Sequence, residues 1–174
     1  MCTGNICRSP MGEALLRAHL ARRGVHPRVH SAGTMHWDGP ATDHTVEVLH
    51  ELGIDARAHR SRALSRRLVG RADLVLAMTR THLWAVVNHD PTAGDRTFLV
   101  GEIVRLGERV GPRAPDEPLA GWVGRVAAAR PPGGVVGLAS DEVADPVNEP
   151  VEVYRATAAR LDAQLGALAR LLAP

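Results

Sequence analysis

The first ten residues, Met1–Pro10, read MCTGNICRSP and decide both the fold and the chemistry of this chain. Cys2 and Arg8 stand six positions apart, with Gly4 and Asn5 between them. Glycine and asparagine accept left-handed backbone conformations more readily than other residues, so this stretch suits a tight loop. A loop of backbone N–H groups at a helix N-terminus binds a phosphate dianion and stabilises a thiolate. Cys2 is therefore the candidate nucleophile, and Arg8 offers a planar fork for two phosphate oxygens.

An amphipathic helix is predicted directly after this loop, over residues 11–23. Ser9 is predicted to cap its N-terminus, Pro10 suits the first helical position, and Gly24 suits the C-terminal stop. The positive end of such a helix would point at Cys2, with the Ser9 hydroxyl near the sulfur.

The rest of the chain alternates short apolar runs with helical patterns. Strands are predicted at residues 28–33, 73–78 and 97–100, and helices at residues 42–52, 79–87 and 151–172. The run DLVLAM at residues 73–78 is typical of a parallel strand buried on both faces. This alternation predicts an α/β fold, an open parallel sheet with helices on both faces. Prolines and glycines concentrate at about residues 107–140, where a divergent surface loop or insertion is predicted.

Length and composition limit the classes of function. A chain of 174 residues suits one domain over residues 1–174. A net charge of +2 and an aromatic content of 3% do not suit nucleic-acid binding. No apolar run is long enough for stable membrane insertion, and no signal peptide is visible. Only two cysteines occur, Cys2 and Cys7, too few for a disulfide framework or a zinc site. These features predict a cytoplasmic enzyme.

The opening stretch resembles the signature of the low-molecular-weight protein tyrosine phosphatases, and the resemblance extends along most of the chain. The further similar stretches are HSAGT at 30–34, Trp37 with GPAT at 39–42, HRSR at 59–62, ADLVLAMTRTH at 72–82, and Asp145-Pro146 ahead of a helix with Tyr154. The resemblance implies a flavodoxin-like sheet of order 2-1-3-4. It also implies hydrolysis of phosphotyrosine in phosphorylated proteins through a cysteinyl-phosphate, with phosphate and oxyanions as ligands and without metal or cofactor.

The resemblance also implies a role for each residue of the loop. Cys2 would be the nucleophile and Arg8 the phosphate clamp. Asn5 would hold the loop in shape with help from Ser31, and Ser9 would stabilise the thiolate. The residues implied to bind phosphate or support the loop are Thr3, Gly4, Asn5, Ile6, Cys7, Ser9 and Ser31. Cys7 would either form a reversible, protective disulfide with Cys2 or simply pack in the interior.

A general acid is required because an aryl leaving group departs best when it is protonated. Two Asp-Pro dipeptides compete for this role, at Asp90 and Asp145. Asp90 is predicted to lie in a turn, whereas Asp145 lies just before the final helix, where the family places its acid. Asp145 is therefore the predicted acid, and Asp141 is the remaining rival.

The substrate is less clearly indicated, because the family usually has an aromatic residue where this chain has Val147. Trp37 is the other candidate for the wall of the substrate cleft. A related branch of protein-arginine phosphatases has threonine in place of Ile6, and an apolar Ile6 is hypothesised to favour aryl phosphates. A thioredoxin-coupled arsenate reductase is excluded because its relay needs cysteines beyond Cys7, whereas an arsenate reductase that uses a small-molecule thiol stays as a less favoured alternative. An inactive phosphate-binding or regulatory module is the alternative from a different class.

The position of Cys2 in the chain departs from the family pattern. The family launches its loop from an apolar interior strand, whereas only Met1 precedes Cys2 here. Losing that strand would leave two neighbouring strands without hydrogen-bond partners. The expectation is that the natural chain begins several residues upstream, and that a protein starting at Met1 would be poorly active.

Overall fold

A computed structural model describes residues 1–132 and 137–174 of the chain. Its helices and strands are α1 (Arg8–Ala21), α2 (Asp43–Glu51), α3 (Arg66–Gly70), β1 (Val75–Ala77), α4 (Arg80–His89), β2 (Thr97–Leu99), α5 (Val100–Val110), α6 (Leu119–Ala128) and α7 (Val151–Leu172). Short 3₁₀ helices lie at Pro91–Arg96 and Ala139–Asp141. Within the described ranges, each helix is too short or too polar to cross a membrane.

The sheet is parallel and is centred on β1. On one side β1 pairs with β2, with Leu76 opposite Phe98. On the other side, the Met1 amino group donates to the Leu76 carbonyl at 2.8 Å, and the Met78 N–H donates to the Met1 carbonyl at 3.0 Å. Cys2 forms a parallel bridge with Gly33, which forms another with Ala63. Cys2 therefore lies inside the sheet, between the Gly33 segment and β1.

Helices cover both faces of this sheet, as the alternation along β1 shows. Leu76 packs against the largest cluster, which contains side chains of α1, α5 and α7. Its neighbour Val75 packs against Val69 of α3 and Val86 of α4. Successive side chains of a strand point to opposite faces, so the two groups of helices lie on opposite sides. The predicted α/β class with a parallel, doubly covered sheet is confirmed.

Local boundaries differ from the predictions at two places. The strand predicted over residues 28–33 is wrong for most of its length, because backbone pairing is confined to residues 32–35. Helix α1 begins at Arg8, earlier than predicted, and its N-cap position is Cys7 rather than Ser9. The predicted stop is confirmed at Gly24, where φ is +74°.

The Pro/Gly-rich region was predicted as a surface loop, and that prediction is wrong for α6 and for the end of α5. The side chains of Trp122, Val123 and Val126 on α6 are buried in the main cluster. Three apolar residues at helical spacing bury enough surface to hold a helix despite the flanking prolines. Gly133 and Gly134, which belong to this predicted loop, lie outside the described residues.

Candidate active site

The segment of residues 2–9, here called the phosphate loop, runs from the sheet into α1. Cys2 is 3% exposed and is fixed in the sheet by two backbone bonds, to Ala32 and Thr34. Asn5 has φ +56°, the left-handed conformation predicted for it. Gly4 was predicted to supply unusual dihedrals as well, but its φ is not positive. The turn of the loop therefore depends on Asn5 rather than on Gly4.

The Asn5 side chain is buried and holds the loop together. Its Nδ2 donates to Ser9 Oγ at 2.9 Å and to Ser31 Oγ at 2.8 Å. Its Oδ1 accepts the Arg62 backbone N–H at 2.9 Å. These bonds satisfy both ends of a fully buried amide and fix the loop conformation. The predicted pairing of Asn5 with Ser31 is present in the geometry.

A carboxylate supports this network from α1. Ser31 Oγ donates to Glu13 Oε2 at 2.6 Å. Burial by itself raises the pKa of Glu13, but the bond from Ser31 and the neighbouring Arg17 outweigh burial and lower the pKa below its ordinary value. Glu13 therefore stays charged and orients the Ser31 hydroxyl. Glu13 was not among the site residues predicted from the sequence.

Ser9 lies between Asn5 and the candidate nucleophile. Its Oγ is 2.9 Å from Cys2 Sγ and accepts a hydrogen bond from Asn5. Because the Asn5 amide donates to the Ser9 oxygen, the Ser9 hydroxyl proton is free to donate to the sulfur. The same sulfur lies beside the N-terminus of α1, where the helix dipole is positive. This arrangement suits a thiolate.

Arg8 and Asp145 meet at the mouth of the phosphate loop. Arg8 is 3% exposed, and its Nη2 donates to Asp145 Oδ2 at 2.5 Å. Its Nη1 donates to the Val143 carbonyl at 3.2 Å. Its Nε is buried without a hydrogen-bond partner among the described residues. A guanidinium N–H that has no partner is suited to a phosphate oxygen.

The two other candidate acids are engaged elsewhere. Asp90 caps the 3₁₀ helix at Pro91–Arg96 by accepting the Thr92 N–H at 3.0 Å, which is the turn that the sequence predicts. Asp141 is 4% exposed and is paired with Arg105 at 2.6 Å. Of the three aspartates, Asp145 alone contacts Arg8, so the geometry favours it as the acid.

The segment that carries Asp145 is held against the sheet and α4. The Val143 N–H donates to the Met78 carbonyl at 2.8 Å. Glu142 Oε1 accepts from the Arg80 backbone N–H at 2.8 Å and from Arg80 Nε at 3.0 Å. The bonds from Arg80 lower the pKa of Glu142, which therefore remains a carboxylate at the N-terminus of α4. Asp145 thus projects from a fixed backbone while 39% of its side chain stays exposed.

His82 is a site residue that was not singled out from the sequence. It is buried on α4, with Nε2 at 2.9 Å from Thr3 Oγ1 and Nδ1 at 2.8 Å from Thr79 Oγ1. Burial and the nearby positive charge of Arg8 lower the pKa of His82 to about 4. The neutral ring therefore joins the phosphate loop to the start of α4.

The lowered pKa of His82 predicts a loss of stability in acid. The unfolded chain protonates this histidine near its ordinary pKa of 6.5, while the folded chain resists protonation down to about 4. Stability contributed by the neutral ring is thus present above pH 6.5 and is lost as pH falls toward 4. Thermal unfolding measured across this window should show a smaller decrease in Tm for His82→Asn than for the unaltered protein. The control His89→Asn, at an exposed position, should keep the full decrease; equal decreases in all three proteins would contradict the role of His82.

Gly33 is required where the strand end passes under the phosphate loop. A Cβ at this position would lie 2.4 Å from the Thr3 carbonyl oxygen and 3.0 Å from the Asn5 backbone nitrogen. Both neighbours are backbone atoms, so neither moves without displacing the loop. Only glycine therefore fits here, a constraint that the HSAGT stretch does not reveal by itself.

We expect Gly33→Ala to destabilise the protein by about 1–3 kcal/mol, the usual cost of overpacking a filled interior. It should also lower kcat/KM for an aryl phosphate, because the loop must shift. Gly124→Ala is the matched control, since a Cβ there meets nothing within 4 Å. Denaturant unfolding and steady-state kinetics on both variants measure the two effects. An unchanged Gly33→Ala protein would contradict the close packing of loop and strand.

The second cysteine lies behind the loop. Cys7 Sγ is 3.6 Å from both Thr42 Oγ1 and the Tyr154 hydroxyl. Burial, together with the bond to Cys7, raises the pKa of Tyr154. Cys2 and Cys7 are both free thiols. Cys7 therefore packs in the interior, and the reversible disulfide between Cys7 and Cys2 remains a prediction.

The remaining predicted residues differ in exposure. Trp37 is 52% exposed, and its backbone carbonyl accepts from the Ser61 hydroxyl. Val147 is 38% exposed, and its N–H donates to Asp145 Oδ1 at 3.3 Å. Ile6 is partly buried and packs against the main cluster. The structure places Ile6 in the loop itself and leaves Trp37 and Val147 as exposed residues outside the buried network.

Comparison with known proteins gives a consistent result. The family model described as "Low molecular weight phosphotyrosine protein phosphatase" matches residues 1–107. A protein-arginine-phosphatase of Bacillus subtilis (strain 168) is 43% identical over 105 residues, 60% of this chain and 69% of the relative. A probable low molecular weight protein-tyrosine-phosphatase, EpsP of Ralstonia nicotianae, is 42% identical over 104 residues, 59% of this chain and 69% of the relative. The crystal structure of a low molecular weight protein tyrosine phosphatase from T. tengcongensis superposes with a TM-score of 0.74 at 33% identity, covering 98% of this chain and 95% of the other.

Proposed function

The chain belongs to the low molecular weight phosphotyrosine protein phosphatase family and is a cysteine-dependent phosphatase, and we propose that it hydrolyses phosphotyrosine in proteins. One observation carries the proposal. Three groups meet at the N-terminus of α1: the Cys2 sulfur, which accepts a hydrogen bond from a hydroxyl, the buried Arg8 guanidinium with its unpartnered N–H, and the Asp145 carboxylate. These are the nucleophile, the clamp and the acid that transfer of a phosphoryl group to cysteine requires.

In the first step, the Cys2 thiolate attacks phosphorus and the bond from phosphorus to the tyrosine oxygen breaks. The electron pair of that bond leaves with the oxygen, and Asp145 in its protonated form supplies the proton that makes neutral tyrosine. Arg8 and the N–H groups of the loop hold the three remaining phosphoryl oxygens. The Ser9 hydroxyl holds the thiolate before attack.

In the second step, water hydrolyses the cysteinyl-phosphate. Asp145, now a carboxylate, takes a proton from the water as its oxygen attacks phosphorus. The sulfur–phosphorus bond breaks and returns the electron pair to Cys2 as a thiolate. Inorganic phosphate leaves, and Asp145 is protonated again for the next cycle. The same carboxylate thus acts as acid in one step and as base in the other.

A protein-arginine phosphatase is the second candidate function. It is favoured by the Bacillus subtilis relative, whose name gives that activity and whose identity to this chain is 43%. The tyrosine phosphatase reading is supported by Ile6, because an apolar side chain in the loop suits an aromatic ring better than a polar guanidino group. Ile6 therefore decides between the two in this proposal.

We expect Ile6→Thr to lower the preference for phosphotyrosine over phosphoarginine by roughly tenfold, because it introduces a hydroxyl into the loop and one hydrogen bond contributes on the order of 1 kcal/mol. The measurement is kcat/KM on two peptides that differ only in the phosphorylated residue. Ile6→Val is the matched control, because valine has the shape of threonine without the hydroxyl, and it should keep the preference. A higher kcat/KM for phosphoarginine in the unaltered protein would select the second candidate.

We also propose that the protein works in the cytoplasm on phosphorylated proteins, and that free phosphate and other oxyanions bind the same loop. Turnover requires Cys2 as a free thiolate, and reducing compartments keep thiols free. Both cysteines are free in the structure. The proposed reaction uses side chains and backbone N–H groups of this chain together with water.

A further inference from the structure

One stretch of the chain concentrates positive charge. Residues 57–71, here called the arginine segment, read RAHRSRALSRRLVGR and hold six arginines and no acidic residue. The rest of the chain contains 15 basic and 19 acidic residues, a net charge of −4, although the whole chain carries +2. The charge of the protein is therefore segregated into this segment.

The arginines of this segment are exposed, and most have no acidic partner. Arg57 pairs with Asp55 at 2.8 Å, and Arg60 donates only to backbone carbonyls. Four side chains make neither an ion pair nor a hydrogen bond within residues 1–132 and 137–174: Arg62, Arg66, Arg67 and Arg71. Structural ion pairs therefore do not account for these charges.

The arginine segment is attached directly to the phosphate loop. The Arg62 N–H donates to Asn5 Oδ1 at 2.9 Å, and His59 Nε2 lies 2.8 Å from the Asn5 carbonyl oxygen. Ser61 binds the loop that carries the exposed Trp37, through its hydroxyl and through a 2.8 Å bond from its N–H to Gly39. The segment thus borders the phosphate loop of the candidate active site and the loop that carries Trp37.

We propose that the arginine segment is a docking surface for acidic residues that flank the phosphorylated residue of a protein substrate. The proposal rests on the proposed phosphatase function and names the class of substrate, an acidic phosphopeptide segment. Guanidinium groups bind carboxylates as planar forks and attract them over several ångströms. An extended peptide advances about 3.3 Å per residue, so side chains within about four residues of the phosphorylated one reach this segment.

An acidic protein segment suits this surface better than a nucleic acid. The segment contains no tryptophan, tyrosine or phenylalanine on which bases would stack. The net charge of −4 on the rest of the chain would repel a long polyanion. A short peptide held at the phosphate loop avoids that repulsion, because it passes only over the neighbouring arginines.

Binding of two phosphotyrosine peptides tests the proposal without dependence on turnover. One peptide carries Glu and Asp on both sides of the phosphotyrosine, and the other carries Gln and Asn at the same positions. The full chain with Cys2→Ser is used, so that neither peptide is hydrolysed, and Kd is measured by fluorescence anisotropy. We expect at least threefold tighter binding of the acidic peptide, and a difference that shrinks as salt is added. Equal Kd values would overturn the proposal.

A pair of double variants locates the effect. Arg66→Gln with Arg67→Gln should remove most of the preference for the acidic peptide, whereas Arg22→Gln with Arg170→Gln should keep it. Both control arginines are exposed and line the same surface depression at the C-terminal end of α1. This end of the helix is roughly 20 Å from the phosphate loop, where α1 begins. An equal loss in both double variants would overturn the proposal, as would tight binding of single-stranded DNA with no peptide preference.

Hydrolysis of p-nitrophenyl phosphate, with Cys2 intact, should be unchanged in the variant with Arg66→Gln and Arg67→Gln. Inactivity of the unaltered protein in that assay would instead count against the proposed function.

Discussion

Replacing Cys2 by serine should reduce turnover of aryl phosphates by about 10⁴-fold or more, because the hydroxyl of serine is a far weaker nucleophile than a thiolate at neutral pH. Phosphate binding should survive. The groups proposed to hold the anion are Arg8 and the backbone of the phosphate loop, and neither depends on the sulfur. The measurement is kcat for p-nitrophenyl phosphate together with the affinity for vanadate.

The matched control for this change is Cys7→Ser. Cys7 contacts Thr42 and Tyr154 behind the loop rather than the anion site. We expect this variant to lose some stability, because a buried sulfur is replaced by a polar hydroxyl, and to retain turnover. An active Cys2→Ser protein, or a Cys7→Ser protein as inactive as Cys2→Ser, would contradict the assignment of the nucleophile.

Asp145→Ala should slow hydrolysis of phosphotyrosine peptides by roughly 10²–10⁴-fold, the usual contribution of general acid catalysis. The loss in kcat/KM, which reports the step that releases the phenol, should be smaller for p-nitrophenyl phosphate, since nitrophenolate leaves without protonation. A second effect follows from the 2.5 Å pair between Asp145 and Arg8. Removing the carboxylate frees Arg8 Nη2 and removes a negative charge beside the anion site, so vanadate and phosphate should bind several-fold more tightly.

The dependence of the rate on the leaving group separates an acid from a merely structural residue. Asp141→Asn is the control, because Asp141 is a buried partner of Arg105. This change should lower Tm, since it weakens a partly buried ion pair, and should leave the ratio of rates on the two substrates unaltered. Equal losses on both substrates in Asp145→Ala, with no gain in vanadate affinity, would contradict its role as acid.

The fold class was predictable because its signals are local. The apolar run that contains β1 and the periodic pattern of α7 each indicate their own element without tertiary information, and α7 begins and ends at the predicted residues. Helix α6 was missed because its flanking prolines and glycines dominate the local pattern, whereas Trp122 is buried by contacts with distant residues. Such contacts leave no trace in the sequence around them.

The chemistry of the site was predictable from the sequence, whereas several residues that hold the phosphate loop in place were not. The spacing of Cys2 and Arg8 pointed to a phosphate loop, and the left-handed Asn5 followed from residue type alone. Ser9 was predicted both to cap α1 and to place its hydroxyl near the sulfur; the second arrangement is present, and the N-cap position belongs to Cys7. His82 and Gly33 act across the sheet, from 79 and about 30 residues away from the loop residues they contact, so no local spacing reveals them.

The most direct test of this account is the mass of the phosphoenzyme. The Asp145→Ala protein is mixed with p-nitrophenyl phosphate, quenched in acid within the first turnover, digested and analysed by mass spectrometry. Phosphocysteine should accumulate because the activated leaving group permits attack while hydrolysis lacks its base. We expect one phosphoryl group, carried by the peptide that contains Cys2. A phosphoryl group on another residue, or release of nitrophenol with no phosphorylated peptide at any time, would contradict it.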